Sequence, residues 1–336
     1  VEDTFGHHID YLRVSVTDRC NERCTYCMPD EEQQWLDRED VLSYDEFLRV
    51  IRAGAELGIT RIRVTGGEPL TRPGILPFLA EVAQVPGIQH LGLSTNGTLL
   101  ARPAAKGSDQ TIAAALYEAG VRALNLSLDS LDRERYRKTT GRDLLPQYLE
   151  GLKAAQDAGF EKIRLNCVLM RGQNEHEIWD LVNFAGERDL LLRFIELMPV
   201  SSREVLTENN FLAAGEARKI IEFKFGPLTP MPEFRTNGPA SYYSLGDGGQ
   251  RIGFISAMTN LHFCESCNKL RFTSDGKLRP CLGSHLEFDM RPALRDPNTT
   301  DEDIRQFFKM VVERKPKDHE FRDNYEPNRR MIAIGG

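Results

Sequence analysis

Between residues 11 and 200, short runs in which apolar and polar positions alternate are separated by longer stretches of helical period. The runs cover residues 11–17, 61–65, 90–95, 122–129, 162–169 and 191–197. Between them, Ser43 followed by Glu46 forms a capping box that opens an amphipathic helix ending near Gly58. Gly120 and Gly159 stand where helix C-caps belong. Strand–helix repetition with crossovers of this length predicts a parallel sheet with helices packed on it.

The alternation inside the runs refines that picture. Parallel strands covered on both faces read as continuous apolar runs. Here Arg13, Ser15 and Thr17 oppose Leu12, Val14 and Val16; Arg61, Arg63 and Thr65 oppose Ile62 and Val64. Asn125, Ser127 and Asp129 oppose Leu124, Leu126 and Leu128, and Arg164 and Asn166 oppose Ile163 and Leu165. One face of the sheet is therefore polar and partly cationic. The expected fold is α/β, an incomplete (βα)6 TIM-like barrel with helices outside and a wet cavity inside. A flat doubly wound sheet with polar strand ends is the alternative. The run at 191–197 fits least well, because Arg193 and Glu196 have opposite parity.

Past residue 205 the rhythm changes. A helical stretch near 210–225 gives way to a Gly/Pro-rich section at 226–249, expected to form loops and short strands. A helix near 300–313 and a charged tail ending Ile334-Gly335-Gly336 follow. This divides the chain into a barrel, residues 1–205, and a C-terminal region, residues 206–336.

Lys and Arg number 43 and Asp and Glu 50 among 336 residues, a net charge of −7. That balance speaks against a nonspecific nucleic-acid binder but leaves room for a local basic pocket. No stretch approaches the ~18 apolar residues of a membrane span, and no signal-peptide pattern opens the chain, which begins at Val1. Membrane spanning and secretion are not expected, and the expected location is cytoplasmic. The 7 cysteines are too few for a disulfide scaffold, but two triplets stand out. Cys167 stands apart on an apolar strand face and reads as a small buried side chain.

Cys20-x3-Cys24-x2-Cys27 follows the first strand directly, at the end where α/β folds place their chemistry. Thiolates are soft ligands that suit zinc or iron–sulfur clusters. Structural zinc takes four protein ligands, and this loop offers three. A cubane cluster on three thiolates leaves one iron open; a zinc knot or free thiols are the alternative. Cys264-x2-Cys267-x13-Cys281 repeats the count, with His262 or His285 available as a fourth zinc ligand.

Cys20-Asn21-Glu22-Arg23-Cys24-Thr25-Tyr26-Cys27 resembles the CxxxCxxC signature of the radical SAM enzymes, and Thr65-Gly66-Gly67-Glu68-Pro69 resembles their GGE motif. Phe263-Cys264-Glu265-Ser266-Cys267-Asn268-Lys269-Leu270-Arg271 is similar to the C-terminal cluster motif of the molybdenum cofactor biosynthesis protein A family, the GTP 3′,8-cyclases. Residues 3–13, the stretch from Leu192 to Met198 and the terminal Gly335-Gly336 carry the same resemblance, which spans nearly the whole chain.

The resemblance implies two [4Fe–4S] clusters, on Cys20, Cys24 and Cys27 and on Cys264, Cys267 and Cys281. The first would bind S-adenosylmethionine, contacted by Tyr26, Gly67, Ser127 and Met198. The second would bind the purine of GTP, with Arg13, Arg63, Ser94, Arg164, Lys269, Leu270 and Arg271 as GTP contacts. Arg61 and Arg193 are second-tier candidates of the same kind. The implied product is (8S)-3′,8-cyclo-7,8-dihydroguanosine 5′-triphosphate, which a cyclic pyranopterin monophosphate synthase would consume. A reductant and a second copy of the chain are the other implied partners. The Gly335-Gly336 tail would reach the active site and aid radical generation. Ser94 stands where relatives often have Thr, and Arg164 where they often have Lys; residues 101–110 read as a surface insertion.

The arginines also have a reading of their own. Guanidinium groups bind phosphate oxygens bidentately, and buried without an anion they are costly. Pairing with Asp or Glu is the bland alternative. Another two-cluster radical SAM enzyme, or an iron–sulfur or zinc electron-transfer protein, would account for the cysteines alone. RNA modification sits badly with the net charge.

Overall fold

The computed structural model describes residues 1–28, 35–246, 249–323 and 325–335. The expected strands form as β1 (Tyr11–Ser15), β2 (Arg61–Thr65), β3 (His90–Thr95), β4 (Ala123–Ser127), β5 (Ile163–Leu169) and β6 (Leu191–Glu196). Between and after them run helices α1 (Tyr44–Glu56), α2 (Ile75–Ala83), α3 (Ile112–Glu118), α4 (Arg133–Thr140), α5 (Leu145–Asp157), α6 (Ile178–Gly186) and α7 (Ala214–Phe225). The capping box closes as expected: Ser43 Oγ accepts from Glu46 N at 3.2 Å, and the Glu46 carboxylate accepts from Ser43 N at 2.6 Å. Gly120 and Gly159, at φ 96° and 87°, end α3 and α5 in the left-handed region that favours glycine.

The remaining elements are strands β7 (Leu228–Pro230), β8 (Ser241–Leu245), β9 (Arg251–Ile255), β10 (Lys269–Phe272), β11 (Lys277–Arg279) and β12 (Phe288–Asp289), and helices α8 (Arg291–Arg295), α9 (Asp301–Glu313) and α10 (Met331–Ile334). All the strands join one sheet in the order β12-β11-β10-β1-β2-β3-β4-β5-β6-β9-β8-β7. The run from β10 to β9 is parallel, and antiparallel hairpins flank it on each side. The sheet curls into an open barrel that does not close. It is wider than the expected six strands, because the C-terminal region adds β10 beside β1 and β9 beside β6. Both runs are too short to show a period of their own among loop-forming neighbours.

Outward side chains such as Leu12, Val64, Leu93, Leu126, Leu165 and Phe194 share one core with the helices, so the polar face is left to the interior. The parity conflict in β6 also resolves here. Arg193 points inward, while Glu196 points outward, fully buried, and accepts from Ala214 N at 2.9 Å, Met258 N at 2.8 Å and Thr259 N at 3.1 Å. A buried carboxylate with that many donors is a structural pin, here tying β6 to α7 and to the turn after β9. Residues 101–110 are largely exposed turns. Among the described residues, no helix is long and apolar enough to cross a membrane.

Candidate active site

The first cysteine loop leaves the C-terminal end of β1 and is held from two sides. Arg23 N and Thr25 N donate to the carbonyls of Thr140 and Thr139 at the end of α4. From the other side, Gly67 N donates to Thr17 O and Glu68 N to Arg19 O, both at 2.8 Å. That approach demands glycine: a Cβ on Gly67 would sit 2.4 Å from Arg19 O. Glu68 is fully buried, and its carboxylate accepts from Leu70 N, Thr95 Oγ1 and Asn96 N, which fastens the glycine turn to the end of β3. Burial pushes its carboxyl up to about 7. Tyr26 donates its hydroxyl to Asp129 at 2.7 Å, and Asp129 accepts in turn from Val168 N at 2.8 Å. Gly67, Tyr26, Ser127 and Met198 thus all stand at the C-terminal ends of the strands or just beyond them.

The barrel interior holds a cavity of about 220 Å³. Its cations are Arg13, Arg63, Arg164, Arg193, Lys269 and Arg271, and no Asp or Glu is among the described residues lining it. Strand register explains the clustering: Arg271, Arg13, Arg63 and Gly92 lie in one row across β10, β1, β2 and β3. Arg63 donates to Tyr11 Oη at 2.6 Å and reaches over β3 to Leu93 O at 3.0 Å. Asn166 Oδ1 accepts from both Nε and Nη2 of Arg193, at 2.9 and 2.7 Å.

Burial first, and then neighbouring charge, pushes Arg13 and Arg164 down to about 10 and Arg271 to about 9. Burial alone would raise the Tyr11 phenol, yet Arg63, Arg13 and Lys269 bring it down to about 8. The potential inside is strongly positive. In a second row, Ser94, Asn125 and Arg164 are register partners, and Ser94 Oγ, Asn125 Oδ1 and Arg164 Nε are buried with no hydrogen-bond partner. Buried polar atoms without partners are uncommon and point to a missing ligand.

The connection from β9 to β10 crosses the open side of the barrel and carries Cys264 and Cys267 into the cavity wall, where Cys281 joins them. Lys315, buried, donates to the carbonyls of Lys269 and Pro280 and so stitches the segment together. Burial alone would raise the Cys267 thiol, but Lys315 and Lys269 outweigh it and lower it. The described residues contain no group of three His, Cys, Asp or Glu side chains spaced for a single metal ion. His262 instead pairs with Glu265 at 2.6 Å, and His285 stacks on Tyr325. His319 lines the same cavity, yet among the described residues it makes no single-metal set with the cysteines, and three thiols on a pocket wall fit a polynuclear cluster with an open iron better than a zinc knot.

Other positions differ from the sequence reading. Leu270 is fully buried in the outer core, so only its backbone faces the cavity rows. Arg61 pairs with Asp10, away from the cavity lining. Gly335 sits against Ser15 and Thr65, and its carbonyl accepts from Arg271 Nη1 at 2.5 Å; Gly336 lies outside the described residues. Cys167 is buried, as expected. The sequence reading missed Tyr11, the loop at Thr236 and Asn237, Phe263 and His319, all of which line the cavity. Of these only Tyr11 was legible, since it shares parity with Arg13.

An open parallel barrel with three cysteines on the loop after its first strand, pinned by a glycine turn from its second, defines a radical SAM enzyme. Residues 14–185 match the Radical SAM superfamily, and residues 190–321 match Molybdenum Cofactor Synthesis C. The chain is 40% identical over 337 residues to the GTP 3′,8-cyclase of Thermodesulfovibrio yellowstonii, covering 100% of both. It is 44% identical to GTP 3′,8-cyclase 2 of Pseudomonas aeruginosa, over 99% of this chain and 98% of that one. The chain belongs to the GTP 3′,8-cyclase family. Its family cofactors are two [4Fe–4S] clusters and S-adenosylmethionine. In fold it resembles anSMEcpe with bound AdoMet (TM-score 0.60, 15% identity, 93% of this chain and 79% of that one). It also resembles Streptococcus suis SuiB bound to its precursor peptide (TM-score 0.61, 16% identity, 89% and 66%).

Proposed function

We infer that this enzyme converts GTP to (8S)-3′,8-cyclo-7,8-dihydroguanosine 5′-triphosphate, a step of molybdenum cofactor biosynthesis. The observation that carries the reading is a cavity lined, among the described residues, by six cationic side chains and no carboxylate, and walled on one side by a cysteine triplet. Only a polyanion offsets that much buried positive charge, and a triphosphate has the matching sign and the oxygens for bidentate guanidinium contacts.

Cys20, Cys24 and Cys27 would hold the cluster that binds S-adenosylmethionine, with Tyr26, Gly67, Ser127 and Met198 around it. When bound, that pair supplies a carbon-centred radical able to abstract a ribose hydrogen, chemistry that belongs to the cofactor. Cys264, Cys267 and Cys281 would hold the cluster that takes the guanine. Arg13, Arg63, Arg164, Lys269 and Arg271, with Arg193 added, bind the phosphates, and Ser94 offers its unpartnered hydroxyl. The backbone of Leu270 continues the Lys269–Arg271 wall. The Gly335-Gly336 tail would reach the site and aid radical generation, a reading supported by the bond from Arg271 to the Gly335 carbonyl. The same reading extends to a reductant, a second copy of the chain, a cyclic pyranopterin monophosphate synthase that consumes the product, and a cytoplasmic location.

The test is anaerobic reconstitution to roughly eight irons per chain, followed by reductant, S-adenosylmethionine and either GTP or ATP. The expected result is 5′-deoxyadenosine together with a cyclised guanosine triphosphate from GTP and no cyclised product from ATP. Cleavage of S-adenosylmethionine indifferent to GTP would refute the substrate.

A further inference from the structure

A second cavity, of about 830 Å³, opens at the opposite end of the barrel, where the parallel strands begin. Arg61, Arg122, Lys162, Arg235 and Arg251 line it against two acids, Glu161 and Asp189. We propose that this mouth is an outer docking site for the polyphosphate chain of the nucleotide, through which the substrate enters and the product leaves. The proposal rests on the GTP reading above.

Three observations support it. The first is that the rim charges are held but not cancelled. Arg251 stacks over Phe234 at 4.6 Å and Arg122 over Tyr117 at 4.4 Å, and an aromatic face fixes a guanidinium without neutralising it. Only Arg61 is paired with a carboxylate, that of Asp10; among the described residues Lys162, Arg235 and Arg251 have no such partner. His90 at the same rim is pushed down, by burial first and then by Arg61 and Lys162.

The second is continuity. Tyr11, Arg63, Arg164, Thr236 and Asn237 line both cavities, so an anion leaving the rim meets Arg63 and Arg164 next and Arg13 and Arg271 beyond them. The third is that the open flank of the barrel is crossed: the β9–β10 connection with its cysteines spans it, and Gly335 lies against Ser15 and Thr65. A molecule of net charge −7 repels a triphosphate at long range, so entry needs a local region of opposite sign; a charged cleft focuses such a field and raises association rates.

The experiment replaces three exposed rim residues together, Lys162→Gln, Arg235→Gln and Arg251→Gln, in the reconstituted enzyme. A control carries Lys106→Gln, Lys153→Gln and Lys309→Gln, the same change in net charge away from the mouth. For the rim variant, the association rate of GTP and kcat/KM should fall roughly tenfold at low ionic strength, with a flatter salt dependence. Its affinity for inorganic tripolyphosphate, read by calorimetry, should fall as well, while the control matches the wild type. An unchanged salt slope, or a control that falls as far as the rim variant, overturns the proposal. Because tripolyphosphate binding needs no turnover, it decides the mouth even if GTP proves not to be cyclised.

Discussion

Two glycines inside strands set the geometry of the cationic cavity. Gly92 is the register partner of Arg63, and Gly253 that of Arg193. A Cβ on Gly92 would lie 2.7 Å from Arg63 Nη2, and one on Gly253 would lie 2.9 Å from Arg193 Cγ and 2.7 Å from Tyr242 Cε1. Each glycine leaves the space across which its arginine lies on the neighbouring strand. Gly92→Ala should therefore displace the flexible end of Arg63 and weaken GTP binding about tenfold, with a stability loss of only about 1 kcal/mol. Binding titration beside thermal melting separates the two effects. The arginines themselves strain the empty protein, because they repel one another in a buried space. Arg271→Gln should raise the melting temperature of the ligand-free chain while abolishing the stabilisation that GTP gives the wild type. At a hundredfold excess over Kd that stabilisation is about 2.7 kcal/mol. Calorimetric melts with and without GTP check both signs.

At the scale of elements, the strand ends are held by buried carboxylates rather than by the strands alone. Burial pushes Glu68 up to about 7 and Asp129 up to about 6. Both groups ionise at a higher pH folded than unfolded, so folding takes up protons between pH 4 and 7. Their contribution is fully present below pH 4 and is lost as the pH rises through 6 and 7. Asp129→Asn keeps an acceptor for Val168 N and a partner for Tyr26; its urea midpoint should drop less than the wild type's between pH 5 and 7.5. The tail is clamped in a different way. Arg329 bonds both oxygens of Asp275, at 3.0 and 2.8 Å, and Glu287 Oε2 at 2.7 Å, while fully buried Arg279 donates to the same Oε2 at 2.6 Å. Ser201 Oγ donates to Cys27 O at 2.7 Å and accepts from Met331 N at 3.0 Å, which joins the tail to the first cysteine loop. Arg329→Met removes the ion-pair partner of buried Asp275 while Glu287 keeps Arg279, a loss of roughly 3 kcal/mol that falls locally on the tail. Faster amide exchange at residues 331–335, and less 5′-deoxyadenosine per GTP bound, are the expected readouts.

For the whole molecule, one sheet integrates both halves of the chain. The division at residues 205 and 206 remains a proposal about chain segments, since β9 and β10 complete the parallel run that β1 begins. None of the cysteines proposed to hold the clusters lies on a strand of that run: Cys20, Cys24, Cys27, Cys264, Cys267 and Cys281 are all on loops. Removing iron with a chelator should therefore leave the far-ultraviolet dichroism nearly unchanged. The segment between β9 and β10 should become the first site of limited proteolysis. Loss of the sheet signal on chelation would show that the clusters support the fold as well as the chemistry.

By itself the sequence determined what is local or periodic. Six strands, the capped helices, the inward parity of Arg13, Arg63 and Arg164, and both cysteine triplets follow from spacing along the chain, because side-chain direction in a strand depends only on parity. Only the tertiary structure decided what depends on pairing at a distance. Glu196 proved a pin rather than a conflict, because its donors come from residues 214, 258 and 259. The C-terminal strands took opposite edges of the sheet, and Gly92 and Gly253 acquired meaning only from the arginines placed opposite them. Register couples residues far apart in sequence, and no local pattern encodes which strand a short run will lie beside.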